Sequence, residues 1–113
     1  MKKLFLDDIR IPEMVYDTTE ATDFIVVRNY VDFVQYIKQD GLPEFISFDN
    51  DLGLDENGEV ASDGYAAAKW LVYESELDLQ NLKFEVHSVN PVAAEQIRGL
   101  LKNYIQFLKG KDS

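Results

Sequence analysis

The sequence predicts a single α/β domain built on a short parallel sheet, and two observations carry that expectation. Short apolar runs alternate with longer stretches of helical period, and such alternation produces a parallel sheet with helices across its faces. Two of the runs also pass directly into acids: Leu4-Phe5-Leu6 into Asp7-Asp8, and Phe45-Ile46-Ser47-Phe48 into Asp49-Asn50-Asp51. Asp, Asn and Gly commonly form turns after strands, which explains one such end more readily than two.

The first strand is expected over residues 3–7. Residues 8–23 have no clean period, since Ile9, Ile11, Met14, Val15 and Tyr16 are scattered around Pro12; this stretch reads as a loop. Phe24-Ile25-Val26-Val27-Arg28 is β-branched and aromatic and forms the second strand. A helix follows over about 30–40, with Tyr30, Phe33, Val34 and Ile37 at i, i+3, i+4 and i+7. Asn29 caps its start, and Gly41 with Pro43 stops it. The third strand covers 45–49, and a polar loop follows over 53–62 with a possible hairpin at Asn57-Gly58. A second helix spans about 63–75, capped by Ser62 or Asp63, with Ala67, Trp70 and Leu71 on its inner face. The fourth strand covers 83–88, and Glu85 in its middle marks it as an edge strand. The last helix opens with Asn90 as cap and Pro91 at the first helical position, buries Ile97, Leu100, Leu101, Tyr104 and Leu108, and ends at Gly110.

A chain of 113 residues forms one domain spanning 1–113. A domain of this size buries about 60–70% of its unfolded surface, enough for one core without staples. There is no cysteine, which excludes disulfides, thiolate catalysis and zinc ribbons. Only three apolar residues separate Lys3 from Asp7, too few for a signal peptide, and no run approaches the ~20 residues of a membrane span; the expected location is cytoplasmic. Net charge is −10, from 11 basic and 21 acidic residues. Such a chain is repelled by nucleic-acid backbones and anionic membranes, so a phosphate ligand requires a metal or a few focused arginines.

A wound order of 2-1-3-4 places the reversal between strands one and three, and ligands of open α/β sheets bind outside the carboxyl ends of the strands at such a reversal. Asp7-Asp8 with Arg10, Arg28, Asp49-Asn50-Asp51, and His87-Ser88 with Asn90 all fall at that edge. These are the parts of a phosphate site. Magnesium takes carboxylate and water oxygens and reaches phosphates through one or two acids. Arginine binds phosphate oxygens bidentately, a helix N-terminus accepts an anion, and histidine exchanges protons near neutrality. Each residue also has an ordinary use: Asp8 and Asn50 as turn residues, Arg10 or Arg28 as the ion-pair partner of a neighbouring Asp, Asn90 as a helix cap. Trp70 and the Tyr and Phe stripes read as core.

The acid after strand three and the acidic pair after strand one resemble the response-regulator receiver domain. There the acids bind magnesium, the third-strand Asp takes a phosphoryl group, and a Ser or Thr after strand four and a Lys after strand five complete the site. This chain has Ser88, but neither a fifth strand nor a lysine at such a strand end. The chain is more similar to the receiver-like family of cyclic-phosphate processing, through LFLDDIRIP at 4–12, VRNYVDF at 27–33, GLPEFISFDNDLG at 41–53, GYAAAKWL at 64–71 and VHSVNP at 86–91. That family often has a histidine between the two third-strand acids, where this chain has Asn50.

The resemblance implies a receiver-like (flavodoxin-like) three-layer fold and a metal-dependent phosphoesterase acting on a cyclic phosphate: a nucleotide, an RNA terminus or a nucleotide-derived sugar, as arises in RNA repair. On this expectation Asp7, Asp8 and Asp49 hold Mg2+ or Mn2+, with Asp51 beside the ion as a catalytic group. Arg10 and Arg28 clamp phosphate oxygens, His87 protonates the leaving alkoxide, and Asn50, Ser88 and Asn90 orient the phosphate. The partner is a small phosphorylated ligand or an RNA end, with no bulk nucleic acid and no membrane. The alternatives are a non-enzymatic receiver-like binding module and an acidic interaction protein with a vestigial site. The presence of Arg10, Arg28 and His87 favours the enzyme.

Overall fold

The computed structural model describes residues 2–17, 23–49, 64–88 and 91–111. The elements are β1 (Lys3–Leu6), a 3-10 turn (Pro12–Met14), β2 (Phe24–Val27), α1 (Tyr30–Asp40), β3 (Phe45–Phe48), α2 (Gly64–Tyr73), β4 (Lys83–Val86) and α3 (Pro91–Lys111). The expected loop over 53–62, the Asn57-Gly58 hairpin and the Ser62, Asp63 and Asn90 caps lie outside the described residues.

All four strands are parallel, in the order β2-β1-β3-β4. The register pairs Leu6 with Val27 and Phe48, and Phe48 with Val86. Glu85 does lie on an edge strand, as its charge in mid-strand requires.

Strand side chains alternate between faces, and the two faces here are unlike. Leu4, Leu6, Ile46, Phe48 and Val86 point to one side and form a single core with Phe33 and Ile37 of α1, Ala67, Ala68, Trp70 and Leu71 of α2, and Ala94, Ile97 and Leu101 of α3. Full burial of each large member contributes about 1.5–3 kcal/mol. Phe5 and Ser47 have the other parity, are also fully buried, and belong to a smaller group with Tyr16, Phe24, Phe45 and His87. Among the described residues, the cover on that face is the segment after β1, carrying its 3-10 turn and Tyr16.

The helix ends follow from local chemistry. The Asn29 side chain accepts the Asp32 N–H at 2.8 Å, and Gly41 leaves α1 at φ 85°, a conformation in which a side chain is strained. α2 stops at Tyr73, two residues short of the expected end. The Ser75 hydroxyl donates to the Leu71 carbonyl at 2.6 Å and Glu76 turns to φ 60°. α3 continues to Lys111, one residue past Gly110. Its buried line is Ile97, Leu101 and Ile105, with Leu100, Tyr104 and Leu108 half-buried beside it. No described helix is long and apolar enough to cross a membrane.

Candidate active site

Three residues continue the sheet by one step beyond its carboxyl edge. The Asp7 N–H donates to the Val27 carbonyl at 3.2 Å, the Asp49 N–H to the Leu6 carbonyl at 2.9 Å, and the His87 N–H to the Phe48 carbonyl at 2.9 Å. The ladder therefore sets Asp7, Asp49 and His87 in one row. They share parity with Phe5, Ser47 and Glu85, so their side chains rise from the face opposite the helices.

Asp7 is the centre of the row and is 1% exposed. Its Oδ1 accepts the backbone N–H groups of Ile9 and Arg10, each at 2.9 Å. Its Oδ2 accepts Arg10 Nε at 2.8 Å and His87 Nε2 at 3.0 Å. Burial by itself raises a carboxyl pKa. Here the two backbone donors, His87 and the Arg10 charge outweigh burial and hold Asp7 below the ordinary aspartate value.

Arg10 also reaches Asp49, with NH2 3.2 Å from Oδ1. One guanidinium thus spans two buried acids and supplies the positive charge between them. Arg28 serves the same loop differently: its NH1 donates to the Asp7 carbonyl at 3.1 Å and to the Arg10 carbonyl at 2.6 Å. That pins the backbone which aims Arg10.

The His87 ring lies flat on Phe5, centroids 4.5 Å apart and planes 5° apart. Its Nδ1 is 2.6 Å from the Ser47 hydroxyl. Burial pushes its pKa below the ordinary imidazole value. Asp7 pulls the other way, Arg10 adds to the depression and Glu85 opposes it.

The sequence-expected site is partly assembled. Asp7, Arg10, Arg28, Asp49 and His87 converge. Asp8 is half-buried and is not part of the cluster of Asp7, Asp49 and His87, whose potential ligand atoms fall within 4.8 Å of one another; Ser88, also half-buried, follows His87 in the chain. Asn50, Asp51 and Asn90 lie outside the described residues. Two carboxylates and an imidazole suit a divalent ion as a donor set, on condition that Arg10 withdraws, because all four acceptor positions of Asp7 now hold protein donors.

Sequence reasoning missed Phe5, Tyr16 and Ser47 as parts of this site. Ser47 had a signal, being the one polar residue of an otherwise apolar strand and two positions before Asp49. Tyr16 had none. A groove of about 420 Å3 along the β4 edge, lined by Phe84, Glu85, Val86, Arg98 and Lys102, does not include Asp7, Asp49 or His87.

Comparison with known proteins agrees with this architecture. The N-terminal domain of a response regulator/sensory box/GGDEF 3-domain protein from Carboxydothermus hydrogenoformans superposes with a TM-score of 0.56 at 16% identity, covering 100% of both chains. A fusion carrying the yeast Spc42 trimeric coiled coil superposes with a TM-score of 0.57 at 15% identity, covering 97% of this chain and 82% of that one. At these identities the likeness is one of fold. No functionally curated protein matches the chain. The family model described as cyclic-phosphate processing receiver domain matches residues 2–103. The chain therefore belongs to the cyclic-phosphate processing receiver domain family.

Proposed function

We propose that this centre opens a cyclic phosphate ester by hydrolysis, giving a phosphomonoester and a free hydroxyl on the same molecule. The observation that carries the reading is the convergence of Arg10 and His87 on one oxygen of buried Asp7. A guanidinium and an imidazole side by side at the carboxyl edge of the sheet suit the roles of phosphate clamp and proton donor.

The residues divide the work as follows. Arg10 exchanges its carboxylate partners for phosphate oxygens, which it binds bidentately. Arg28 keeps the loop carbonyls in place, so the guanidinium moves on a fixed backbone. Water adds to phosphorus and passes one proton to the Asp49 carboxylate, the P–O bond to one ring oxygen breaks, and His87, in its protonated form, gives that oxygen the proton on Nε2. Phe5 beneath the imidazole keeps solvent from the ring. Asp7 and Asp49 would hold a Mg2+ or Mn2+ ion once Arg10 has turned to the substrate, with Asp8 and Asp51 as further candidate ligands. Such an ion supplies charge stabilisation and a more acidic water. The negative net charge favours a compact phosphate ligand or an RNA end over long nucleic acid.

A second reading, a non-enzymatic receiver-like binding module, is favoured by one observation: the closed Asp7–Arg10–Asp49 arrangement is already charge-paired without a ligand. A screen of 2′,3′-cyclic nucleotides and cyclic-phosphate sugars with Mg2+ or Mn2+ separates the two. Ring opening that is lost in His87→Gln supports the hydrolase. Saturable binding of the same compounds without turnover supports the module.

A further inference from the structure

The face of the sheet opposite the core carries a line of polar contacts, of which the proposed hydrolysis uses only the His87–Asp7 end. The Tyr16 hydroxyl donates to Glu85 Oε2 at 2.9 Å, and its oxygen is 2.8 Å from the Ser47 hydroxyl. Ser47 Oγ is 2.6 Å from His87 Nδ1, and His87 Nε2 is 3.0 Å from Asp7. Glu85 is exposed and Ser47 is fully buried, so the line runs from the surface to the centre of the site. Tyr16 is fixed independently of these bonds. Its ring stacks on Phe24 at 5.3 Å and meets Phe45 edge-on at 6.4 Å.

A count of hydrogens shows what the line can do. Four contacts need four hydrogens. A carboxylate brings none, while tyrosine, serine and a neutral imidazole bring one each. While the ring is neutral, one contact is therefore without its hydrogen; protonation of the ring supplies the fourth. The Asp7 carboxylate claims the hydrogen on Nε2, which leaves Nδ1 as an acceptor. Tyr16 has one hydrogen, and a bond to a carboxylate is roughly twice as strong as a neutral one, so it points at Glu85. The Tyr16 oxygen and His87 Nδ1 must then compete for the single hydrogen of Ser47. If the Glu85 carboxylate is engaged by another group, Tyr16 turns to Ser47, and Ser47 commits its hydrogen to Nδ1.

We propose that Glu85, Tyr16 and Ser47 form a control line to His87, in which the direction of the Tyr16 hydroxyl decides how firmly Nδ1 is held and so how Nε2 is presented to Asp7. Tyr16 and Ser47 are positioning residues acting through His87. The value of the line for turnover rests on the proposed hydrolysis; the line itself does not.

His87 is the only histidine in the chain, so both ring nitrogens of the 15N-histidine-labelled full chain are assigned without ambiguity. Glu85→Gln removes the charge and offers an amide donor to Tyr16, freeing the Tyr16 hydrogen. At a fixed pH where the ring is neutral, Glu85→Gln is expected to move the Nδ1 resonance upfield while Nε2 stays protonated. In a Tyr16→Phe background the same substitution should leave Nδ1 in place. Ser47→Ala serves as a second background, nearly equal in size, should Tyr16→Phe fail to fold. An equal displacement with and without the hydroxyls means that Glu85 acts through space, and overturns the line. No displacement in any background overturns it as well. Turnover is not read, so failure here is distinct from failure of the hydrolase reading.

Discussion

His87 and Asp7 are joined across 80 positions of sequence by a 3.0 Å contact between Nε2 and Oδ2, with the imidazole side chain 5% exposed and the carboxylate 1%. Neither group is then an isolated titrating side chain. Each sets the orientation and proton affinity of the other, and Arg10 tunes both from the same oxygen.

Asp7→Asn keeps an acceptor for the two loop N–H groups but removes the charge that holds Arg10 and His87. Bonds to charged groups contribute about 1.5–3 kcal/mol, and Arg10 is part-exposed, so a loss of roughly that size in urea unfolding is expected. Asp49→Asn, which leaves the Asp7–Arg10 pair intact, should cost less. Equal losses would mean that Asp7 is not the organising acid.

Acidification should destabilise the fold in two steps. The pKa of His87 is lowered by burial from the ordinary 6.5, so the unfolded chain binds a proton first. Stability is complete above pH 6.5 and declines as pH falls toward the lowered folded value. Asp7, whose pKa is lowered from 3.8, adds a second loss as pH falls below that value. Melting temperature followed against pH should show both limbs, and His87→Gln should flatten the upper one and, by removing a donor to Asp7, alter the lower one less. An upper limb unchanged in His87→Gln would assign it to another group.

Mg2+ or Mn2+ should raise the melting temperature of the wild-type chain, by about 2.7 kcal/mol of linked stability at a hundredfold excess over Kd. Because Arg10 occupies the carboxylate oxygens that an ion needs, Arg10→Gln should respond at lower metal concentration, and Asp49→Asn should lose the response. A weaker response in Arg10→Gln would show that the guanidinium assists the ion rather than competing with it.

For turnover, His87→Gln should cut the rate on a cyclic phosphodiester by about 10²–10⁴-fold, the usual cost of a lost general acid. The loss should shrink for leaving groups that need no proton. A uniform loss across leaving groups would move the acid role to another residue, with Asp51 the next to test.

The strand order and the convergence at the carboxyl edge were legible because period and strand ends are local features. Apolar runs of fixed length that each end in polar residues leave few arrangements for a four-stranded parallel sheet. The Asn29 cap and the edge position of β4 were legible for the same reason. The actual use of Arg10 and Arg28 was not, since an arginine beside two acids serves equally as ion-pair partner or phosphate clamp until its distances are known. Tyr16 was hidden more deeply. It acts from an aperiodic segment, and only the tertiary packing of Phe24 and Phe45 brings its hydroxyl over β3.

The spatial order β1-β3-β4 puts Asp7 and His87 on strands that are not neighbours. With adjacent strands about 4.8 Å apart, the imidazole has to bridge a gap of roughly twice that, passing over the middle strand. The bridge exists because residue 47 is a serine, low enough to let the ring lie across it and polar enough to hold its far nitrogen. Position 47 is therefore a clearance limit on the whole centre. Valine or leucine there would suit the strand, yet would lift the ring off Phe5 and part it from its acid.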